Sequence, residues 1–172
     1  MTGRVAGSKV QTLVRAATAH DTTKLLELFG ALADYEHLRE ELQATEEQLR
    51  DALFGARPAA EALLAERGGE AVGYALFFPT FSTFRTTRGI WLEDLFVLPE
   101  HRGAGVGRAL LAAVAACVPD TRGRLEWAAL DWNELALGFY RGIGALAMDE
   151  WTSLRLDGEA LALLAAESAD RD

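Results

Sequence analysis

A glycine-rich turn limits how this chain can fold more than any other feature of its sequence. Residues 102–108 read Arg-Gly-Ala-Gly-Val-Gly-Arg and lie between a buried-type strand and an apolar helix. Alternating glycines let the backbone approach a ligand closely, and the first amides of a helix point outward without intrahelical partners. Those amides and the helix dipole favour an anion. The turn therefore predicts a phosphate-type ligand at the start of a helix, with an ordinary glycine-rich turn as the alternative.

Two common nucleotide-binding motifs do not fit this turn. A dinucleotide fingerprint requires a third glycine where this chain has Arg108 or Leu110, depending on the starting glycine. A P-loop requires Gly-Lys followed by Ser or Thr, and this sequence has no such triplet. The anion site therefore belongs to another class of protein.

Apolar periodicity, capping signals and turn residues predict a mixed α/β sheet around the turn. The predicted strands cover residues 12–16, 59–66, 71–80, 89–98 and 125–130, with a last strand around 148–156. The predicted helices cover residues 21–38, 45–55, 105–118, a segment capped by Asn133 and residues 159–167. Residues 67–70 predict a hairpin turn. We expect a flexible tail at residues 1–11 and a single domain at residues 12–172.

Composition and charge exclude several classes of protein. The chain has 172 residues, a net charge of -9 and one cysteine. Without a basic cluster, such an acidic chain is not expected to bind nucleic acid. Its apolar runs are shorter than the roughly 18 residues that cross a bilayer, so no membrane association is expected. The single Cys117, expected on the buried side of its helix, leaves no disulfide or metal-ligand pattern and suits a reducing cytoplasm.

The turn and four other segments together resemble the GNAT acetyltransferase superfamily, whose signature is Arg/Gln-x-x-Gly-x-Gly/Ala. The other segments are Leu-Glu-Asp-Leu-Phe-Val at 92–97, Trp-Asn-Glu at 132–134, Phe-Tyr-Arg at 139–141 and Gly-Ala at 144–145. In this order and spacing they are similar to the diamine acetyltransferase branch, which includes spermidine/spermine and thialysine acetyltransferases. The resemblance covers residues 13–164 and implies a GNAT fold, acetyl-CoA as co-substrate, no metal and a homodimer.

The resemblance also implies roles for individual residues. Positions matching the cofactor groove are Leu95, Phe96, Val97, Arg102, Gly103, Ala104, Gly105, Val106, Gly107, Arg108, Asn133, Glu134, Leu135 and Ala136. Positions matching the substrate side are Tyr35, Glu36, Glu93, Asp94, Glu126, Trp127, Ala128, Asp149, Glu150 and Trp151. Tyr140 matches the tyrosine near the thioester sulfur. The expected catalytic residues are Tyr140 and Glu93.

Acidic residues in the predicted strands suit acetyl transfer to an amine. An alkylammonium has a pKa of about 10.4, so a group must take its proton before it can attack. Glu93 and Asp94 lie together in an apolar strand, and alternation places them on opposite faces unless a bulge intervenes. Glu126 interrupts the next strand. These carboxylates would bind a cation and accept its proton; alternatively, they form structural ion pairs with arginines such as Arg88 or Arg124.

Tyr140 lies on the apolar face of its predicted helix and suits proton donation to a departing thiolate. Its phenol pKa of about 10 exceeds that of a thiol, about 8.5, so donation is feasible when concerted with departure. The alternative is a core aromatic residue with a satisfied hydroxyl group. An oxyanion would need a backbone amide, which the strand near Leu95 supplies if a bulge frees one.

These observations predict direct transfer of the acetyl group of acetyl-CoA to a primary amine of a small cationic substrate. A polyamine, a diamine or a thialysine-like molecule fits the clustered acids. Two other functions remain open at this point. A peptide or protein N-acetyltransferase would share the cofactor site, and a non-catalytic acyl-CoA sensor would retain the glycine turn.

Overall fold

Five strands form one mixed sheet in the order β1-β2-β3-β4-β5. Their bounds are β1 Thr12–Ala16, β2 Glu61–Arg67, β3 Glu70–Ser82, β4 Thr87–Val97 and β5 Leu125–Glu126. The first four strands pair antiparallel in sequence order, and β5 pairs parallel with β4. The predicted α/β class and its mixed central sheet are confirmed.

The structure is a computed structural model that describes residues 10–168. It divides into two units, Met1–Ala128, which carries the sheet, and Ala129–Asp172. Most of the predicted tail, residues 1–9, lies outside the described residues, and residues 10 and 11 precede β1 without regular structure. Within the described part of the chain, no helix combines the length and apolar character needed to cross a membrane.

Among the described residues, five α-helices accompany the strands, and local signals account for where two of them begin. Their bounds are α1 Thr22–Tyr35, α2 Glu46–Phe54, α3 Val106–Ala116, α4 Glu134–Gly142 and α5 Gly158–Ala166. At the start of α2 the Thr45 hydroxyl accepts from the Gln48 amide, and the Gln48 side chain accepts from the Thr45 amide. At the start of α4 the Asn133 side chain accepts from the Ala136 amide. Both predicted caps are confirmed, since each satisfies a helix amide that has no intrahelical partner.

A tight turn joins β2 and β3 as predicted. Gly68 and Gly69 both have positive φ angles, 63° and 88°. Two consecutive residues in this conformation give a turn whose twist matches that of the flanking strands, and glycine adopts it without steric cost. The turn fixes the register between β2 and β3, in which Arg67 pairs with Glu70.

The two faces of the sheet are covered by different helices. One face, here called the α1 face, packs against α1 and α2 through an apolar core. The core residues are Leu25, Leu28, Leu49, Leu53, Ala62, Leu64, Tyr74 and Phe96. Helix α3 packs against β1 to β4 on the other face through buried Val106, Leu110, Leu111 and Val114. Burial on both faces explains the nearly continuous apolar sequence of β3 and β4.

Three expectations about local structure are wrong. The strand predicted at 125–130 is only two residues long, because Ala128 and Ala129 are weak strand formers and β5 pairs with β4 only at Ile90 and Trp91. The strand predicted around 148–156 is absent among the described residues, since residues 149 and 150 form a turn and the rest of the segment has no regular structure. Cys117 is exposed rather than buried, because α3 ends one residue before it.

Gly105 provides a test of how the glycine turn is built. Its φ angle is +84°, yet a Cβ there would meet no atom within 4 Å, so only backbone strain opposes a side chain. We expect Gly105→Ala to lower the free energy of unfolding by about 1 kcal/mol. The matched control is Gly107→Ala inside α3, which should leave stability unchanged or raise it slightly. Equal unfolding midpoints in urea for the two variants would contradict this assignment.

Candidate active site

A β-bulge at Glu93 organises the acidic part of the site. Leu76 pairs with Asp94, but the next residue, Phe77, pairs with Leu92, so Glu93 is an extra residue on β4. A bulge of this kind lets two successive side chains project from the same side of a strand. The simple alternation that would separate Glu93 from Asp94 is therefore broken at this point.

Hydrogen bonding shows which face the bulged residues occupy. Asp94 lies two residues before Phe96, which is in the core of the α1 face. The pairing of Trp91 with Phe78 places Trp91 on that same face, and its indole N–H donates to Glu93 Oε2 at 2.9 Å. Both carboxylates thus project from the α1 face, with Glu93 exposed and Asp94 partly buried.

Asp94 has an unusual environment for a carboxylate. The hydroxyl group of Tyr74, a fully buried residue of β3, donates to Asp94 Oδ2 at 3.1 Å. Burial raises the pKa of the Asp94 carboxyl to about 6, with additional increases from the charges of Glu93 and Glu36, while the Tyr74 hydrogen bond opposes the rise. A carboxyl group with this pKa is largely ionised at neutral pH yet accepts a proton readily.

The end of α1 supplies the other side of this acidic cluster. Glu36 directly follows the last helical residue, Tyr35, and both are half-buried. Burial raises the pKa of the Glu36 carboxyl. Since Glu36 and Glu93 both act electrostatically on Asp94, the structure brings together three of the predicted substrate-side carboxylates.

The predicted residues of β5 behave differently. Glu126 pairs in register with Trp91, which places it on the α1 face next to Glu93. Its carboxylate forms an ion pair with Arg124 at 3.3 Å, so the structural alternative raised for these acids is observed here. Trp127 is half-buried and Ala128 is exposed.

The glycine turn has the geometry expected of an anion site. Gly103 and Gly105 have φ angles of 74° and 84°, and α3 begins at Val106 without a side-chain cap on its first amides. The predicted turn residues 103–108 therefore lie at the amino end of an 11-residue helix, with Gly103, Ala104, Gly105 and Arg108 exposed. Unpartnered amides and the helix dipole favour a phosphate there.

Arg102 connects this turn to the acidic cluster. Its Nε donates to the Val97 carbonyl at 2.9 Å, and its guanidinium lies 4.4 Å from the centre of the Tyr35 ring. It also lies 5.7 Å from the centre of the Phe96 ring. The side chain therefore holds the end of β4 against the end of α1, between the anion site and the carboxylates.

The second half of β4 has an open edge. Within residues 10–168, β5 pairs with only Ile90 and Trp91, so Leu95, Phe96 and Val97 have no strand partner on the edge away from β3. Backbone groups on that edge can therefore bind an extended ligand by the same hydrogen bonds that a strand would make. The bulge on β4 lies at Glu93, two residues before Leu95.

The remaining predicted site residues belong to the second unit. Glu134 and Leu135 at the start of α4 are exposed, and Ala136 is half-buried, as is Tyr140 with its ring 5.3 Å from that of Phe139. Glu150 and Trp151 lie outside regular structure and are exposed. The interior side of α4 predicted from its sequence is confirmed within this unit, since Ala136, Phe139, Tyr140 and Ile143 are all less exposed than Glu134 or Arg141.

Tyr74 is not among the predicted site residues, yet its hydroxyl group contacts Asp94. The available signal was a tyrosine within a strand buried on both faces, because a buried hydroxyl group needs a hydrogen-bond partner. The described residues contain no group of three His, Cys, Asp or Glu side chains arranged to hold a metal ion.

Comparisons with known proteins agree with this geometry. The sequence model of the Acetyltransferase (GNAT) family matches residues 22–145. A thialysine N-epsilon-acetyltransferase of Sus scrofa is 36% identical over 167 residues, covering 90% of this chain and 98% of that protein. An L-ornithine N5-acetyltransferase of Arabidopsis thaliana is 39% identical over 107 residues, covering 60% and 47%. An integron cassette protein of V. cholerae has a similar structure, with a TM-score of 0.73 and 27% identity over 90% of this chain and 97% of the other.

The environment of Asp94 predicts that the site reduces the stability of the protein. Because the folded state holds this proton more tightly than an unfolded aspartic acid of pKa about 3.8, stability is lost as pH rises through about 6. We expect Asp94→Asn to raise the free energy of unfolding at pH 7.5 by up to about 2 to 3 kcal/mol, and hardly at all at pH 4. Chemical denaturation at several pH values measures this. The exposed Asp131→Asn is the control, and an Asp94→Asn variant no more stable than wild type at pH 7.5 would refute the prediction.

Proposed function

Since the chain belongs to the GNAT family of acetyltransferases, we propose that it transfers the acetyl group of acetyl-CoA directly to a primary amine of a small cationic substrate. A diamine, a polyamine or a thialysine-like amine is the substrate class. The observation that carries this proposal is the bulge, which presents Glu93 and Asp94 together on the α1 face next to Glu36. The similarity to a thialysine and an L-ornithine acetyltransferase supports an amine of this kind.

The proposed acetyl-CoA site uses two features of the first unit. The amides at the start of α3 and the turn at 103–108 suit the pyrophosphate, and the open edge of β4 at residues 95–97 suits the pantetheine arm. The family resemblance also assigns cofactor binding to residues 133–136 of the second unit. Bound acetyl-CoA would supply the activated acyl group. The family model matches residues 22–145, which include residues of each unit.

The proposed amine site uses the acidic cluster as both a binding and a proton-accepting surface. Glu36 and Glu93 attract the ammonium group, whose positive charge would relieve the repulsion among the three carboxylates. Asp94 then takes one proton from nitrogen: an N–H bond breaks, an O–H bond forms and the nitrogen lone pair becomes available. The sequence favoured Glu93 for this step, but Asp94 is partly buried and its carboxyl pKa is raised, so we assign the step to Asp94.

The remaining bond changes follow from that proton transfer. Nitrogen bonds to the acetyl carbon while the C–S bond breaks, and Tyr140 gives a proton to the departing sulfur. When nitrogen bonds to the acetyl carbon it still carries two protons. One of them passes to the Tyr140 oxygen and restores its hydroxyl group, and the other stays on the amide. The only proton released is therefore the one on Asp94. The family signature at 139–141 and the position of Tyr140 on the less exposed side of α4 support this assignment.

A thiol-release assay with acetyl-CoA tests the proposal directly. Diamines, thialysine, aminoglycosides and short peptides are compared as acceptors, and we expect rapid release with the diamines or thialysine. The acetyltransferase relatives argue against a non-catalytic sensor. Preference for a peptide over every small amine would replace this proposal with the peptide acetyltransferase alternative.

Substitutions of the two bulge carboxylates should have different effects on the pH profile of kcat/KM. Asp94→Asn removes the proton acceptor and should lower turnover by at least about 100-fold. Glu93→Gln removes a negative charge that raises the pKa of Asp94, so the acidic limb of the profile should move to lower pH. Comparing initial rates from pH 5 to pH 9 checks both. If instead Glu93→Gln abolishes the acidic limb, Glu93 is the proton acceptor.

Tyr140→Phe should reduce turnover without weakening the cofactor site. The substitution removes only the hydroxyl group, so we expect a loss of about ten-fold or more in kcat, as is typical of general acid catalysis. Calorimetric titration with CoA should give an unchanged affinity. The matched control is Phe139→Leu, the neighbouring ring on α4, and an unaltered kcat in Tyr140→Phe would exclude the acid role.

We also propose that the protein is a cytoplasmic homodimer. The family resemblance and the single cysteine support this, as do the exposed rings of Phe81 and Phe84 at the end of the β3–β4 hairpin, which a second copy would cover. A monomeric mass by light scattering would contradict the dimer.

A further inference from the structure

The hydrogen bond from Tyr74 to Asp94 is not explained by core packing alone. It is fully buried in β3, with its ring 4.8 Å from that of Phe29 and 6.3 Å from that of Phe96. A buried phenol needs a hydrogen-bond partner, but a neutral acceptor would satisfy it at less cost than a partly buried carboxylate. The hydroxyl group instead donates to Asp94 Oδ2 at 3.1 Å. Satisfying the Tyr74 hydroxyl group therefore does not by itself explain why its partner is a carboxylate.

Resting on the proposed function, we infer that Tyr74 is a positioning residue, whose hydroxyl group orients the Asp94 carboxylate toward the amine and stabilises its ionised form. The two rings of Phe29 and Phe96 fix the position of the phenol, so the donated hydrogen bond fixes Oδ2 in turn. With Oδ2 accepting from Tyr74, Oδ1 is the oxygen left to take the proton from the amine nitrogen. Tyr74 contacts no reacting atom in this arrangement.

The groups around Asp94 act on its proton in opposite directions. Glu93 on β4 and Glu36 at the end of α1 disfavour its ionised form, as does burial. Tyr74 on β3 is the group that favours the ionised form. Burial and the neighbouring Asp94 raise the pKa of Tyr74 well above its ordinary value, so the phenol keeps its proton and remains a donor. Arg102, the cation on this side of the turn, is held by the Val97 carbonyl and the Tyr35 ring.

Tyr74→Phe tests this inference because it removes only the oxygen and keeps the ring between Phe29 and Phe96. Without the donor, ionisation of Asp94 becomes harder. The acidic limb of kcat/KM should therefore move up by roughly one pH unit, as expected for loss of a hydrogen bond to an ionised group. This direction is opposite to that expected for Glu93→Gln. A substitution that only disturbs the fold would lower kcat/KM at every pH without moving the acidic limb.

The carboxyl carbon of Asp94 gives a second readout that does not depend on turnover. In ¹³C-labelled protein its chemical shift follows protonation, and loss of the resonance in Asp94→Asn identifies it. We expect a midpoint near 6 in the wild type and a higher one in Tyr74→Phe. Phe29→Leu is the matched control. It loosens the packing of the Tyr74 ring but keeps the hydroxyl group, so its midpoint should rise less than that of Tyr74→Phe.

The outcomes separate the inference from the proposed function. Upward shifts in both the carbon titration and the acidic limb support the positioning role if they are larger in Tyr74→Phe than in Phe29→Leu. An unchanged carbon midpoint overturns it, and so does a shifted midpoint with an unmoved acidic limb. If the wild type releases no thiol with any amine, the proposed function fails, and the role of Tyr74 in that reaction fails with it.

Discussion

The site depends on one extra residue in β4. Because Glu93 is inserted between the pairs Leu76–Asp94 and Phe77–Leu92, two carboxylates leave the sheet from a single face. Without the bulge, Glu93 would project toward α3, into a face filled by apolar side chains, where an unpaired charge is costly. The same irregularity restores apolar Leu92 to that face, so the core stays intact on both sides of the acidic site.

Two regions of the first unit have opposite electrostatic character. Backbone amides at the start of α3 favour negative charge, and because they act locally they do so even in a chain of net charge -9. The end of α1 and the bulge attract positive charge through Glu36, Glu93 and Asp94. Arg102 lies between the two regions. Its side chain donates to the Val97 carbonyl and stacks on the Tyr35 ring, and it forms no ion pair with Glu36, Glu93 or Asp94.

Local patterns predicted most of this fold, whereas pairing across the sheet was harder to foresee. The Gly68-Gly69 turn, the caps at Thr45 and Asn133 and the glycine turn each depend on neighbours a few residues away. The bulge depends on the register between β3 and β4, and the Tyr74–Asp94 hydrogen bond joins residues 20 positions apart. For the same reason the short β5 and the missing strand around 148–156 could not be deduced, because strand length is set by the available partner.

The central claim is that Asp94, placed by the bulge and held by Tyr74, receives the proton of the amine. A crystal structure with an inert acetyl-CoA analogue and the amine that gives the fastest thiol release tests it most directly. We expect the amine nitrogen on the α1 face of β4, within hydrogen-bonding distance of Asp94 Oδ1 or joined to it by one water molecule. An amine nitrogen bound out of reach of Asp94, whether at Glu126 or on the α3 face, would show that Asp94 does not receive this proton.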